Sequence, residues 1–289
     1  MDVKSAIGLL GLKKENCSNI SIISKKHGNM VYGLKYDNKN YVLKCYTNEN
    51  NREVKFYELL KTLKIPTLRI ITSCESAILI ESIDYSLDKR IAKEKDLEDE
   101  NIIISLAHWY KDFHDKGREY IKHNGVESFF LDEISYITQE SLETLTHMYK
   151  LIDAPGWKLV INGYQDIISY CKRLPQTFNY NDFSHLNMVI SKNSVFMYDF
   201  HLMGYGMAYS DIRNVLTALD ENSKNIFLEH YGNYNEEEKI LDDPISILVA
   251  LCISLNFKTR PSWARGLVQS VFSGEFLFKF KNALNIAIK

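Results

Sequence analysis

The 289 residues leave room for one large domain or two modest ones, and 45% hydrophobic with 25% charged side chains is the make-up of a globular protein with a sizeable core, not of a disordered one. A formal net charge of −2 gives no electrostatic footprint for nucleic acid or an anionic membrane. No apolar run approaches the length that spans a bilayer, and the start, Met1 to Cys17, shows no signal-peptide cleavage pattern. The five cysteines lie far apart with no CxxC pair, which speaks against a zinc site or a disulfide framework; reduced thiols in a cytoplasm are the expectation.

In chain order, "NISIISKK" and "NMVYGLKY" are β-branched and aromatic runs separated by His27-Gly28-Asn29. "NYVLKCY" follows across the turn-formers Asp37-Asn38-Lys39-Asn40, so the last two runs predict a hairpin. Strand alternation puts Val42, Lys44 and Tyr46 on one face and Tyr41, Leu43 and Cys45 on the other. "NENNREVKFYELLKTL" carries Val54, Tyr57 or Glu58, and Leu60 or Lys61 at helical spacing and stops before Pro66. "LRIITSCESAILIES" reads as two short strands with a turn near Glu75-Ser76.

Beyond Asp84 the pattern turns helical. "LEDENIIISLAHWYKDFHDKG" aligns Ile103, Leu106, Tyr110 and Phe113 and predicts a helix ending at Gly117. "FFLDEISYITQESLETLTHMYKLI" and "GWKLVINGYQDIISYCKRL" predict two more helices. Two short strands, "NMVIS" and "SVFMYDF", joined at Lys192-Asn193, precede helices that run to the end. The acidic run Glu236–Glu238 with Asp242 and Asp243 reads as a solvated helix face. The fold class is α+β: a small β-rich lobe over 1–83, a connector at Ser82–Asp84, and a larger, mostly α lobe over 84–289.

The most informative stretch is "FNYNDFSHLNMVI", followed by "FMYDFHLMG". Phosphoryl transfer from a nucleotide asks little covalent chemistry of a protein. It needs the triphosphate positioned, its charge neutralised and the acceptor hydroxyl oriented. An Asp that accepts the hydroxyl proton, an Asn five residues later and an Asp ending a following strand meet those needs. Asp182, Asn187 and Asp199 have that order and that first spacing. Magnesium takes oxygen ligands, which an Asn amide and a carboxylate supply. Lys44, a charge in an otherwise apolar strand, is placed to reach the α- and β-phosphates. Glu53 on the next helix is the choice to orient it and Glu58 the alternative; five positions apart, they cannot both face it.

These residues, with "AILIESI", "LAHWYKDFHDKG" and "YSDIRNVL", resemble the aminoglycoside phosphotransferase and choline kinase superfamily over nearly the whole chain. The resemblance implies the bilobal protein-kinase-like fold, with ATP or GTP as co-substrate and Mg2+ as metal. It implies that Lys44 binds phosphate, Glu53 pairs with it, Asp182 is the catalytic base, and Asn187 and Asp199 bind magnesium. Glu81, Ser82 and Ile83 would present backbone groups to the nucleotide base, and Asp211 would brace the catalytic loop. The implied activity is phosphorylation of a hydroxyl on a small aminoglycoside-, choline- or sugar-like acceptor, without nucleic acid or membrane as partner.

The chain departs from the family in three places. Tyr180-Asn181 stands where His-Gly normally precedes the Asp. Gly28 alone represents the glycine-rich phosphate loop. His201 follows "YDF" where protein kinases have Gly. Neither Ala-Pro-Glu nor His-Arg-Asp occurs, which argues against a protein kinase. The alternative is a catalytically inactive kinase-like protein that binds nucleotide or a partner. The departures favour that alternative, and the retention of Asp182 opposes it.

Overall fold

The computed structural model describes residues 2–26, 29–46, 52–84, 86–192 and 194–289. The chain opens with α1 (Val3–Leu9), whose first turn is capped by the Asp2 carboxylate accepting from the Ser5 N–H. Five antiparallel strands follow: β1 (Cys17–Lys26), β2 (Asn29–Tyr36), β3 (Lys39–Cys45), β4 (Ile70–Cys74) and β5 (Ala77–Glu81), in the order β1-β2-β3-β5-β4. The predicted hairpin joins β2 and β3, but its turn is tighter than the four-residue cluster suggested. Tyr36 pairs with Lys39, and Asp37 and Asn38 both take positive φ (47° and 63°), as a two-residue hairpin turn requires. Gly28, His27 and Asn193 lie outside the described residues.

The alternation along β3 has two destinations. Leu43 and Cys45 pack with Ala6 and Ile7 of α1 and with Leu10 just after it, a helix with no clear pattern in the sequence. Val42 and Tyr46 face the opposite way, into the core that α2 (Arg52–Thr62) shares with the rest of the molecule. Lys44 therefore points toward that interior face and not to solvent.

Next come β6 (Lys89–Ile91), α3 (Glu100–Asn124), α4 (Gln139–Tyr149), α5 (Trp157–Arg173), β7 (Thr177–Asn179), β8 (Met188–Ser191), β9 (Ser194–Met197) and β10 (Gly204–Gly206). Five helices close the chain: α6 (Ala208–Ala218), α7 (Glu221–Tyr231), α8 (Glu236–Ser254), α9 (Ser262–Ser273) and α10 (Glu275–Ala287). Strands β6, β8 and β9 form one small sheet, and β7 pairs with β10 in another. The three-residue strands β6, β7 and β10 are too short to show a period, so the sequence did not announce them.

Two expectations are corrected. Helix α3 does not stop at Gly117; it runs to Asn124 and ends at Gly125, whose φ is 77°. Gly117 is instead a close-packing residue. A Cβ there would lie 2.6 Å from the Phe178 amide nitrogen and 2.8 Å from Thr177 Oγ1, so only glycine lets β7 lie against the helix. The stretch from Phe129 to Ile152 is helical only from Gln139, after a short 3-10 turn over Glu133–Tyr136. Thr138 marks the start of α4, accepting the Ser141 N–H at its side-chain oxygen.

The acidic run is the third correction. Glu238 and Asp242 are buried, at 3% and 1% exposure, because each has a partner. Glu238 accepts the Tyr209 N–H at 3.1 Å; Asp242 holds the Arg213 guanidinium and the Ser210 hydroxyl. A second apolar core fills the space among α4, α5, α8, α9 and α10. Among the described residues no helix is long and apolar enough to cross a membrane.

Candidate active site

Strand β3 and the first turn of α2 bring Lys44 and Glu53 together. Lys44 Nζ lies 2.7 Å from Glu53 Oε1 and 3.0 Å from Asp199 Oδ1, and the Tyr46 hydroxyl donates to Glu53 Oε2 at 2.8 Å. Glu58, five positions further round the helix, accepts instead from the Ser73 hydroxyl at 2.8 Å. The partner of Lys44 is thus Glu53. Burial works against the Lys44 charge, but the facing Glu53 and Asp199 carboxylates more than offset it, so its pKa lies above the ordinary lysine value.

The loop after β7 is pinned from below. Asp211, fully buried in the first turn of α6, accepts the backbone N–H of Tyr180 at 2.6 Å and of Asn181 at 2.9 Å. His114 bridges Asp211 Oδ2 (3.2 Å) to the Tyr231 hydroxyl (2.8 Å) and is itself buried. His114 and Asp211 thus form a brace beneath the loop. Asn181 occupies the left-handed region at φ 64°, the conformation that glycine or asparagine adopts most readily, and its side-chain amide donates to the Leu202 carbonyl at 3.2 Å. The Tyr180 hydroxyl donates to the Tyr198 carbonyl, and its ring packs edge-on against Phe200. The Tyr-Asn departure keeps the turn and supplies its own anchors.

Asp182 then stands at the head of the loop, with the Asn187 amide donating to its Oδ2 at 2.8 Å and to its backbone carbonyl at 3.1 Å. The β8–β9 hairpin returns the chain to this point, where the Tyr198 N–H donates to the Asn187 carbonyl at 3.1 Å. That return explains how Asn187 and Asp199 become neighbours despite their separation in sequence. Asp199 is also left-handed, at φ 64°, an unfavourable angle for an aspartate, and its N–H donates to the Tyr57 hydroxyl at 3.2 Å.

His201 is the residue that sequence reasoning registered only as a departure. Its Nδ1 lies 3.2 Å from Asp199 Oδ1 and 3.9 Å from Asp182 Oδ2, between the two carboxylates. Burial pushes the Asp199 carboxyl up, but its hydrogen bond with His201 and the charge of Lys44 outweigh this and hold it well below the usual range. Asp182 moves the other way, raised chiefly by burial. Two carboxylates in one cleft are driven apart, one firmly ionised and one made more basic.

Among the described residues no group of three or more His, Cys, Asp or Glu is arranged to hold a metal. The pair Asn187 and Asp199 still fits magnesium. Asp199 is ionised, the Asn187 amide oxygen makes no hydrogen bond among the described residues, and magnesium binds through one or two protein oxygens, with water and phosphate completing its shell. Lys44, Glu53, Asp199 and His201 line one cavity of about 490 Å³ with Val31 and Arg52. Glu81, Ser82 and Ile83 do not line it. The Glu81 N–H is engaged by the Arg69 carbonyl, its side chain by Lys89 and the Arg69 N–H, and the Ile83 carbonyl by the Ser86 N–H. Ser82 and the Ile83 N–H make no hydrogen bond among the described residues.

A second cavity, of about 200 Å³, is lined by Asn181 and bounded by α6, α8 and the turn that carries Glu133. Its polar lining includes Glu133, Asn181, Ser210, Arg213, Asn214 and Asp242. Glu133 lies in an irregular segment with no motif, so no sequence signal could have singled it out.

No family model and no curated protein matches the sequence. Solved structures do match in fold. A choline kinase from Streptococcus pneumoniae is 16% identical, with 94% of this chain and 96% of that chain covered and a TM-score of 0.59. A choline/ethanolamine kinase family protein from Mesorhizobium loti is 11% identical, with 99% of each chain covered and a TM-score of 0.62. The streptomycin–ATP–APH(2'')-IIa ternary complex is 14% identical, covering 99% and 96%, with a TM-score of 0.53. This chain thus shares its fold with these kinase structures, a fold that the sequence resemblance implied.

Proposed function

We propose that the protein is a small-molecule kinase that transfers the γ-phosphoryl group of Mg-ATP or Mg-GTP to a hydroxyl of a small acceptor. One observation carries this reading. The Glu53–Lys44–Asp199 ion-pair chain meets Asp182 and Asn187 in one cleft, although these residues come from β3, α2, the loop after β7 and the end of a hairpin. Packing alone does not call for so many charges in one place. Structures of the same fold include one with both ATP and streptomycin, which supports a nucleotide and a small acceptor as the two substrates.

In this reading residues 1–83 form the nucleotide-binding lobe and 84–289 the catalytic and acceptor-binding lobe. Lys44, held by Glu53, engages the α- and β-phosphates, and the free N–H groups of Ser82 and Ile83 face the base. Asn187 and Asp199 hold Mg2+, which neutralises phosphate charge when bound. Asp182 orients the acceptor hydroxyl and takes its proton. The burial that raises its pKa makes it a better base, while the Asn187 amide fixes the carboxylate's direction. Catalysis comes from positioning and charge neutralisation. The unpaired thiols fit a cytoplasmic setting.

The test is nucleoside-diphosphate release with Mg-ATP and Mg-GTP against aminoglycosides, choline, ethanolamine and sugars. Acceptor-dependent release should fall by about 10²–10⁴-fold in Asp182→Ala while nucleotide binding, read by calorimetry, is kept. Equal release from wild type and variant would defeat the catalytic reading and leave a nucleotide-binding protein.

A further inference from the structure

In the kinase reading, His201 stands where the transferred group crosses from nucleotide to acceptor. Its Nδ1 lies 3.2 Å from Asp199 Oδ1 and 3.9 Å from Asp182 Oδ2. One ring nitrogen is thus beside both the carboxylate that fits the metal and the carboxylate that fits the acceptor hydroxyl. The backbone around it is held from α2. Arg52 Nε donates to the His201 carbonyl at 3.1 Å, and the Asp199 N–H donates to the Tyr57 hydroxyl at 3.2 Å. The His201 side chain is half exposed, at 49%, and lines the cavity of about 490 Å³ together with Lys44 and Arg52.

The cleft calls for such a donor. Lys44 Nζ is shared by Glu53 and Asp199, at 2.7 and 3.0 Å. A triphosphate entering there meets the carboxylates of Glu53, Asp199 and Asp182 against the fixed cations of Lys44 and Arg52. The stretch from Ser24 to Val31 holds one glycine, Gly28, and so lacks the run of glycines that lets backbone N–H groups close over phosphates. An imidazole keeps at least one N–H whatever its charge, so it can donate to a phosphate oxygen in either form. Here His201 is spent on Asp199 Oδ1, an oxygen that also holds Lys44. When Asp199 is engaged by a metal, the ring is released to donate to a phosphate between the two carboxylates.

We propose that His201 is a further catalytic residue, donating an imidazole N–H to the γ-phosphoryl group as it passes to the acceptor. This rests on the kinase reading above and adds a residue to it. In the step itself the acceptor oxygen bonds to the γ-phosphorus, and the bond from that phosphorus to the β–γ bridging oxygen breaks. The electron pair of the broken bond leaves with the nucleoside diphosphate, and the acceptor proton goes to Asp182. His201 keeps its own proton and contributes a hydrogen bond to the equatorial oxygens, over which the charge of the transition state spreads. A glycine at this position would offer no side-chain donor.

Calorimetry in the presence of Mg2+ tests this, with ADP and GDP against their non-hydrolysable triphosphate counterparts AMPPNP and GMPPNP, since only the latter carry a γ-phosphate. For the base that wild type binds, His201→Ala should weaken the triphosphate analogue by about fivefold or more and leave the diphosphate within about twofold. His201→Asn, which sets an amide N–H near the place of Nδ1, should recover part of that loss. Diphosphate and triphosphate weakened alike would mean that His201 only holds Asp199 in place for the metal. A triphosphate affinity unchanged in His201→Ala would mean that the ring does not reach the γ-phosphate. Either result would overturn the proposal. The kinase reading fails on a different readout, nucleotide turnover that is indifferent to Asp182→Ala, so the two failures are told apart.

Discussion

Glu133 shows how a single side chain can weaken the fold. Its carboxyl, raised from 4.5 to about 7, prefers to be neutral in the folded protein. Below about pH 4.5 it is protonated both folded and unfolded and costs nothing. As pH rises from 4.5 to 7 the unfolded chain ionises it freely while the folded protein resists, so stability is lost across that window and stays lost above it. Glu133→Gln should therefore match wild type at pH 4 and be more stable by about 1–3 kcal/mol at pH 8 in urea unfolding. Equal stability at both pH values would show that the carboxylate is compensated after all. The same scale holds the residues that the sequence made legible. Lys44, Asp182, Asn187 and Asp199 stood out because charged or amide side chains interrupt apolar runs at a spacing that phosphoryl transfer requires. His201 and Glu133 did not, because nothing local marks a side chain whose surroundings come from distant parts of the chain.

At the scale of elements, the long periodic segments read correctly. The helix beginning at Glu100, the hairpin of β2 and β3 and the β8–β9 pair carry enough residues for a period to show. The short strands did not, and Gly117 misled. Glycine usually ends a helix because it accepts a left-handed φ, but Gly117 sits mid-helix because β7 crosses there. Gly117→Ala should cost about 1–3 kcal/mol in thermal or urea unfolding, since clash with the Phe178 backbone exceeds the modest gain in helix propensity. A stabilised variant would mean that β7 is not held against α3. The acidic segment misled for a related reason. Glu238 and Asp242 belong to the solvated pattern of a helix surface until α6 is packed on it, at which point the Tyr209 N–H and the Arg213 guanidinium claim them.

For the molecule as a whole, the larger apolar core does not respect the boundary between the small sheet and the helical part. Val54, Phe56, Tyr57 and Leu60 of α2 lie in one cluster with Phe113, Phe130, Phe178 and Phe200. Phe56 meets Phe129 and Phe130 at ring centroids of 5.1 and 5.2 Å, and Tyr57 meets Phe200 at 5.1 Å. Helix α2, which carries Glu53, is thus anchored by aromatic contacts to the body that carries Asp182. Phe56→Ala should lower stability by about 3–5 kcal/mol. It should move the urea midpoints read by tryptophan fluorescence and by far-ultraviolet circular dichroism together. Midpoints that separate would show that the two parts unfold independently and that this core does not couple them.

The sequence by itself determined the α+β class and the order of a β-rich part before a helical one, and it singled out Lys44, Asp182, Asn187 and Asp199 as candidates, because periodicity and the spacing of chemically necessary side chains are local properties of a chain. Tertiary structure decided which glutamate meets Lys44, how Asn181 fills the place of glycine before Asp182, where α3 ends, and that His201 and Glu133 line cavities. Each of those outcomes depends on a contact between residues far apart in sequence, where burial and the need to satisfy every buried charge choose among arrangements that local pattern leaves equal.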